Sequence, residues 1–270
     1  MNKTLFRWVF FLSLVFALSS CILSDDVDNF YFQLPEKTYQ IDAESLGMST
    51  TTGISCDPGD DHCPNINSAL ICDPDELFCK ISEAATFPEI DCSSENVCLE
   101  MGEGFYCDSR YDACSVEAPL QLNSSVHLAE EVEELKEVGN LKFSKVTLES
   151  LYFIVEINTL GVESPDLGLY IAENGVLELS FDEQGEVITP GCQRIGSIPS
   201  VPASFTGQKD AVLTQAGREA LSSYLKEPNT PFKLFVAGTV NLVPGAPFPN
   251  IDDGQFRVII SGTALAKTDL

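Results

Sequence analysis

Val146-Thr147-Leu148-Glu149-Ser150-Leu151-Tyr152-Phe153-Ile154-Val155-Glu156-Ile157 reads as a β-strand by its period. Val146 and Leu148, then Leu151, Phe153, Val155 and Ile157, fall on alternate positions, the spacing at which side chains of an extended chain share a face. Tyr152 and Ile154 make the second face apolar too, which predicts a strand inside a sheet, away from its edges. The run that follows reads as a hairpin. A two-residue turn at Asn174-Gly175 sets Leu169 against Ser180 and Ile171 against Glu178. Enlarging the loop to Glu173-Asn174-Gly175 pairs Leu167 with Phe181, Leu169 with Leu179 and Ile171 with Leu177 on one face. The second register is therefore expected, with Gly175 as the left-handed residue of a bulged turn.

Further strands are expected near Val187-Ile188 and over residues 194–198, 232–242 and 256–266, broken by Pro244-Gly245-Ala246-Pro247 and Asp253-Gly254. Two helices interrupt them. Leu128, Val132, Leu135 and Val138 sit at helical spacing ahead of Gly139, and Thr214 can cap a second helix that faces Ala220, Leu221, Tyr224 and Leu225 to the core before Pro228. The fold class is thus mainly β: a β-sandwich with two short helices over residues 118–270, plus a small disulfide-rich module of two repeats. Residues 30–52 open with an alternating Phe30, Phe32 and Leu34, then Tyr39 and Ile41. They are too few to fold alone, so this segment is expected to join the sandwich and leave the cysteine-rich module (53–117) as an insertion.

Eight of the ten cysteines lie in that module. Cys56, Cys63, Cys72 and Cys79 are separated by six, eight and six residues, and Cys92, Cys98, Cys107 and Cys114 by five, eight and six. Ile54-Ser55-Cys56 echoes Ile90-Asp91-Cys92, and Cys72-Asp73 echoes Cys107-Asp108, so repeats 54–81 and 90–116 are a duplication. Self-contained repeats allow three pairings each. The pairing taken is first to third and second to fourth: Cys56–Cys72, Cys63–Cys79, Cys92–Cys107 and Cys98–Cys114. Interlaced loops hold units too small to bury a sufficient core. Zinc is the competing account. It needs paired cysteines two to four residues apart, a spacing neither unit has, and His62 is the one histidine nearby. Asp57, Asp60, Asp61, Asp73, Asp75 and Glu76, with Asp91, Glu95, Asp108 and Asp112, offer oxygen ligands for Ca²⁺, most densely at Asp57, Asp60 and Asp61. The order of a known calcium loop is absent, and exposed turn carboxylates are the simpler reading. No resident cofactor is called for.

The chain carries 41 acidic and 15 basic residues, a formal net charge of −26. Such a surface repels phosphate backbones, so nucleic acid is excluded as a partner. Signatures of common hydrolases, metalloproteases and nucleotide-binding proteins are absent, and of the two histidines His127 reads as a surface residue. No catalytic residue is assigned and the chain is read as non-enzymatic, although a hydrolase built on Asp and Glu alone is a second alternative. Cys192 in Pro190-Gly191-Cys192 is the odd cysteine. A buried inert thiol is the default, against an intermolecular disulfide or a reactive thiol.

Ahead of the strands, Lys3 and Arg7 precede an apolar run that closes on Leu18-Ser19-Ser20-Cys21. The run is interrupted by Ser13, Ser19 and Ser20 and is short for a span of roughly 20 apolar residues. It resembles the signal peptide and lipobox of bacterial lipoprotein precursors. That resemblance implies removal of residues 1–20, diacylglyceryl and palmitate-type acylation at Cys21, a tether over 21–29, and attachment to the membrane through the lipid. Ile22 after the cysteine, by resemblance to known sorting rules, favours the outer membrane of the bacterial cell envelope over the inner. The C-terminal part resembles the late-embryogenesis-type (LEA14-like) β-sandwich in the strand Leu151 to Ile157 ending near Asn158, the Ile198-Pro199 step, and Pro231-Phe232 followed by a strand through Gly238. This implies a binding or protective module. The expected function is a membrane-anchored, non-catalytic structural or protein-interaction lipoprotein whose partner is an envelope protein. A carrier of lipid or another small apolar ligand is the alternative.

Overall fold

Alternating apolar residues build two antiparallel sheets that face each other across one core. The computed structural model describes residues 29–42, 51–57, 63, 70–73, 75, 77–81, 86–92, 97–102, 104–136, 143–182, 184–247 and 254–268. Cys21 with the signal segment, Asp60, Asp61, His62, Glu76, Glu95, Val138 and Gly139 lie outside these residues.

One sheet has the order β1-β13-β7-β10, from β1 (Asn29–Asp42), β13 (Gln255–Thr268), β7 (Phe143–Asn158) and β10 (Gly207–Asp210). β7 is interior, with β13 on one side and β10 on the other, as its two apolar faces require. β1 runs antiparallel along β13 from Asn29↔Lys267 to Asp42↔Gln255, with a register shift between Leu34 and Lys37. The shift falls on Pro35-Glu36, where proline has no N–H for the ladder. The second sheet has the order β11-β9-β8-β12-β6-β5, from β11 (Val212–Leu213), β9 (Cys192–Ile198), β8 (Leu167–Glu173), β12 (Phe232–Leu242), β6 (Ala113–Val126) and β5 (Phe105–Asp108). Phe32, Leu34, Tyr39 and Ile41 of β1 and Phe153 and Val155 of β7 pack in one core with Leu169 and Ile171 of β8 and Val236 of β12. The protein is mainly β and sandwich-like, and the N-terminal strand supplies part of the sandwich core.

The hairpin expected at Asn174-Gly175 does not form. β8 pairs with β9 on one side, Leu167↔Ile198 to Ala172↔Cys192, and with β12 on the other. Both of its edges are taken, so residues 176–190 fold back over the outer face of the sheet. There Leu179 and Val187 pack on Tyr170 and Phe235, Phe181 bridges Val187, and Leu177 is exposed. Gly175 is not in the left-handed region. Pairing with two long neighbours buries more than a two-strand hairpin can, and that outweighs local turn chemistry.

The helix expected from Leu128 breaks into two short pieces. These are α2 (Leu128–Glu131) and α3 (Glu133–Lys136), which follow α1 (Val97–Glu100) in the chain. Val132 between them is extended, φ −97° and ψ 115°, which lets Leu128, Val132 and Leu135 all reach the core. The Thr214 helix forms as α4 (Gln215–Leu225), and the Thr214 hydroxyl accepts from Gly217 N at 2.9 Å.

A third sheet, β2-β4-β3, from β2 (Thr51–Ser55), β4 (Phe78–Ile81) and β3 (Leu70–Cys72), belongs to the first cysteine repeat. Among the described residues the second repeat has no such separate sheet. Its hairpin is β5 and the start of β6, and β6 runs unbroken past Glu117 into the sandwich. The expected boundary at 117/118 therefore falls inside one strand.

Candidate functional site

The duplication seen in the cysteine spacing repeats at the level of hydrogen bonds. In the first repeat the hairpin β3–β4 sets Cys72 opposite Cys79, and in the second β5–β6 sets Cys107 opposite Cys114. Neither pair is bonded to itself. The bridges are Cys56–Cys72, Cys63–Cys79, Cys92–Cys107 and Cys98–Cys114, with Cα–Cα distances of 5.8, 6.0, 5.8 and 5.5 Å. Each hairpin is thus clamped by two disulfides to the segment that precedes it. Cys56 N–H donates to the carbonyl of Leu77 at 3.0 Å, and Cys92 N–H to that of Asp112 at 3.2 Å. Leu77 and Asp112 occupy the same place, two residues before the last cysteine, and both have positive φ, 58° and 49°. A left-handed conformation in a leucine is costly, and it persists because bridge and hydrogen bond over-determine the turn.

The aspartate after the third cysteine serves both turns. Asp73 Oδ1 accepts from Asp75 N at 2.8 Å, and Asp108 Oδ1 from Arg110 N at 2.9 Å. Each carboxylate then takes a cation: Lys80 Nζ lies 2.5 Å from Asp73 Oδ2, and Arg110 grips Asp108 through Nε and Nη2 at 2.9 and 2.5 Å. The Arg110 hydrogen bonds hold the Asp108 carboxyl below the usual carboxylate range. Both aspartates thus brace the turns of their hairpins.

The two repeats share one small core. Leu70, Ile81, Ile90 and Met101 pack with cysteines of both units, and Phe105 joins this cluster to the sandwich core. Phe87, in the linker between repeats, is buried in the sandwich core. Its N–H donates to Ala246 O at 2.6 Å and its carbonyl accepts from Gly245 N at 2.9 Å. The Pro244–Pro247 turn thus holds the module in place. Phe87 lies in no periodic run and is followed by Pro88, so only its size signals burial.

The module displays apolar side chains on an acidic molecule. Leu77 is 41% exposed and Phe78 40%, with Ile71 beside them and Tyr111 at the matching turn of the second repeat. Asp57 and Asp75 are exposed around the first of these groups. Among the described residues, the clusters close enough to share an ion are Cys56, Cys63 and Cys79, and Cys92, Cys98 and Cys114. Their sulfurs are already bonded in disulfides and offer no thiolate.

Cys192 is the free cysteine among the described residues, half-buried against Tyr170, Ala172 and Phe235. Burial pushes its thiol up to about 11. His127 precedes α2, and its Nδ1 lies 3.0 Å from Glu130. A surface cleft of about 600 Å³ lies between Val162–Asp166 and Thr239–Pro247 and contains two carboxylates. Both are engaged: Glu163 accepts from Ser200 Oγ at 2.9 Å and Asp166 from Ser200 N at 2.7 Å. They pin the β9–β10 connection to the 159–166 loop. Among the described residues no helix is long and apolar enough to cross a membrane.

No protein-family model matches the chain, and no curated protein matches it. Among solved structures it is similar to a chain of Desmodium yellow mottle tymovirus, at 15% identity over 58% of this chain and 82% of that one, TM-score 0.26. A turnip yellow mosaic virus chain matches at 15% identity over the same shares, TM-score 0.22. A marine algae virus of the order Picornavirales matches at 13% identity over 78% and 94%, TM-score 0.24. Superpositions that loose carry no argument about this chain.

Proposed function

We propose that this chain is a lipid-anchored, non-catalytic interaction protein of a bacterial cell envelope, held at the outer membrane through Cys21, with the doubled disulfide hairpin as the element it presents. One observation carries the reading: Leu77 and Phe78 are held out to solvent by a turn that two disulfides and the Cys56–Leu77 hydrogen bond prevent from relaxing. A rigid apolar tip needs little ordering on binding, and an apolar centre with a polar rim is the usual plan of a protein interface. The sandwich and Phe87 give that tip a fixed mount. The surrounding carboxylates favour a partner with basic residues around an apolar recess.

Two further points favour binding over catalysis. Glu163 and Asp166 are spent on holding Ser200, and burial keeps the Cys192 thiol protonated near neutral pH. The resemblance of the C-terminal part to the LEA14-like sandwich, a binding or protective module, is consistent with this. Affinity capture from detergent-solubilised membranes tests it. The wild-type chain should retain a protein that Leu77→Lys with Phe78→Ser loses, at unchanged thermal stability. Equal capture by both overturns the assignment of the tip. An apolar small molecule retained by the purified protein, with no protein partner, favours the carrier reading.

A further inference from the structure

β1 differs from the other sheet edges. β10, β11, β5, β2 and β3 end their sheets with four, two, four, five and three residues. β1 has fourteen, all of its ladder partners lie on β13, and its other side has no strand among the described residues. Its second half is guarded. Pro35 lacks an N–H, the bulge follows it, and Lys37 pairs with Glu131 of α2, which sets that helix over the flank. Asn29-Phe30-Tyr31-Phe32-Gln33-Leu34 has no charge, no proline and no glycine. Phe30 is only partly buried at the end of a ring stack, 5.9 Å from Phe32 and 6.4 Å from Phe143, and Tyr31 is 67% exposed on the opposite face.

We propose that a second copy of this chain pairs with Asn29–Gln33, antiparallel across a two-fold axis centred on Tyr31, making one eight-stranded sheet from two of four. An open strand edge specifies an extended polypeptide as its occupant, because only another strand satisfies its N–H and C=O groups in register. Charge selects the copy's point of contact. At −26 per chain most approaches oppose carboxylates, and along this uncharged stretch two copies meet without opposing like charges. The two-fold places Phe30 of each copy opposite Phe32 of the other on the inner face, covering the open side of Phe30, and sets the two Tyr31 rings together on the outer face. This pairing is independent of the tip at Leu77 and of any second protein.

The test uses the full chain in its own membrane, with Cys192→Ser to remove the free thiol. Directly opposed residues of an antiparallel pair have Cα atoms about 4.5–5.5 Å apart, within disulfide reach. On mild oxidation Tyr31→Cys should convert more than half of the chain to a dimer on non-reducing gels. Thr147→Cys, exposed two strands away, should not. Separately, Tyr31→Lys should weaken dimerisation at least tenfold by sedimentation in mild detergent without lowering the melting temperature. The proposal is overturned by a wild-type chain that sediments as a monomer at micromolar concentration, by no cross-link at Tyr31→Cys, or by a cross-link there to a different protein.

Discussion

The phenol of Tyr39 donates a 3.2 Å hydrogen bond to the carbonyl oxygen of Leu234. Tyr39 lies on the outermost strand of one sheet and Leu234 on an interior strand of the other, so the bond crosses the core. It converts β1 from a strand laid along β13 into a strut between the sheets. Phe32, Leu34 and Ile41 bury on the same side, at roughly 1.5–3 kcal/mol each.

Tyr39→Phe removes that bond while Leu234 stays in its ladders with β6 and β8, which should cost about 1 kcal/mol at pH 7. The pH dependence gives a second reading. Burial raises the Tyr39 phenol above its ordinary value of 10.0, so the folded chain holds this proton more tightly than the unfolded chain. The contribution is whole below about pH 10 and is lost as pH climbs toward the folded value. Tyr106, Tyr170 and Tyr224 are raised as well, so the alkaline loss should shrink in the variant and not vanish. Urea midpoints between pH 7 and 11 measure it; curves of equal steepness would remove Tyr39 from the account.

Gly217→Ala sets helix propensity against packing. In the first turn of α4 alanine should gain up to about 1 kcal/mol as the better helix former. A Cβ at this position would lie 1.9 Å from the Ile195 carbonyl oxygen, the acceptor that Thr214 N–H uses at 3.1 Å. The helix must move off β9 and lose that bond, so the net effect should be a loss of about 1–3 kcal/mol. Gly175→Ala, with nothing within 4 Å, is the control and should be near neutral. A higher melting temperature for Gly217→Ala would mean α4 is not seated as described.

What the sequence made legible was whatever rests on local pattern. The strand Leu151–Ile157 is interior because both faces are apolar, and Thr214 caps a helix because its hydroxyl precedes a helical stripe. The Cys-Asp repeat announces two equal hairpins. What it hid depends on partners distant in the chain. Leu167–Ile171 alternates equally well for a hairpin with Leu177–Phe181 or a ladder with β9 and β12, and the choice is made by strands 20 to 70 residues away. Phe87 has no periodic neighbours, so nothing local says that it belongs to the sandwich core. The β6 strand carries cysteine spacing at one end and apolar alternation at the other, and composition splits it where the backbone does not.

Loss of the last disulfide should therefore be felt beyond the module. Cys114 is fully buried at the start of β6, and its N–H donates to Ile90 O at 2.8 Å. Cys98→Ala with Cys114→Ala opens a loop closed over 16 residues and should cost about 2–4 kcal/mol. Because β6 continues into the sandwich, the melting temperature of the single main transition should fall. Cys56→Ala with Cys72→Ala, a bridge with neither cysteine on β6, should shift that transition less. Equal effects from the two variants would mean that the module and the sandwich melt as one unit.

Cys192 should behave as a poor nucleophile, and the amount by which it is poor can be reasoned out. Its thiol is raised to about 11 by burial against Tyr170 and Phe235, against 9.0 for an unperturbed group. Two units reduce the thiolate present at pH 8 by about 100-fold. A thiolate of higher pKa is intrinsically more reactive, with a Brønsted slope of about 0.4–0.5, which returns close to tenfold. Iodoacetamide should then modify native Cys192 roughly ten times more slowly than a solvent-exposed cysteine at pH 8, before any steric hindrance is added. The shape of the profile discriminates better than the absolute rate. The logarithm of the rate should keep rising by about one per pH unit through pH 9 and 10, because the thiol has not reached its midpoint. An ordinary thiol levels off near 9. A plateau at pH 9 in the native protein would show that Tyr170 and Phe235 do not enclose this sulfur, and would reopen the reactive-thiol role for Cys192.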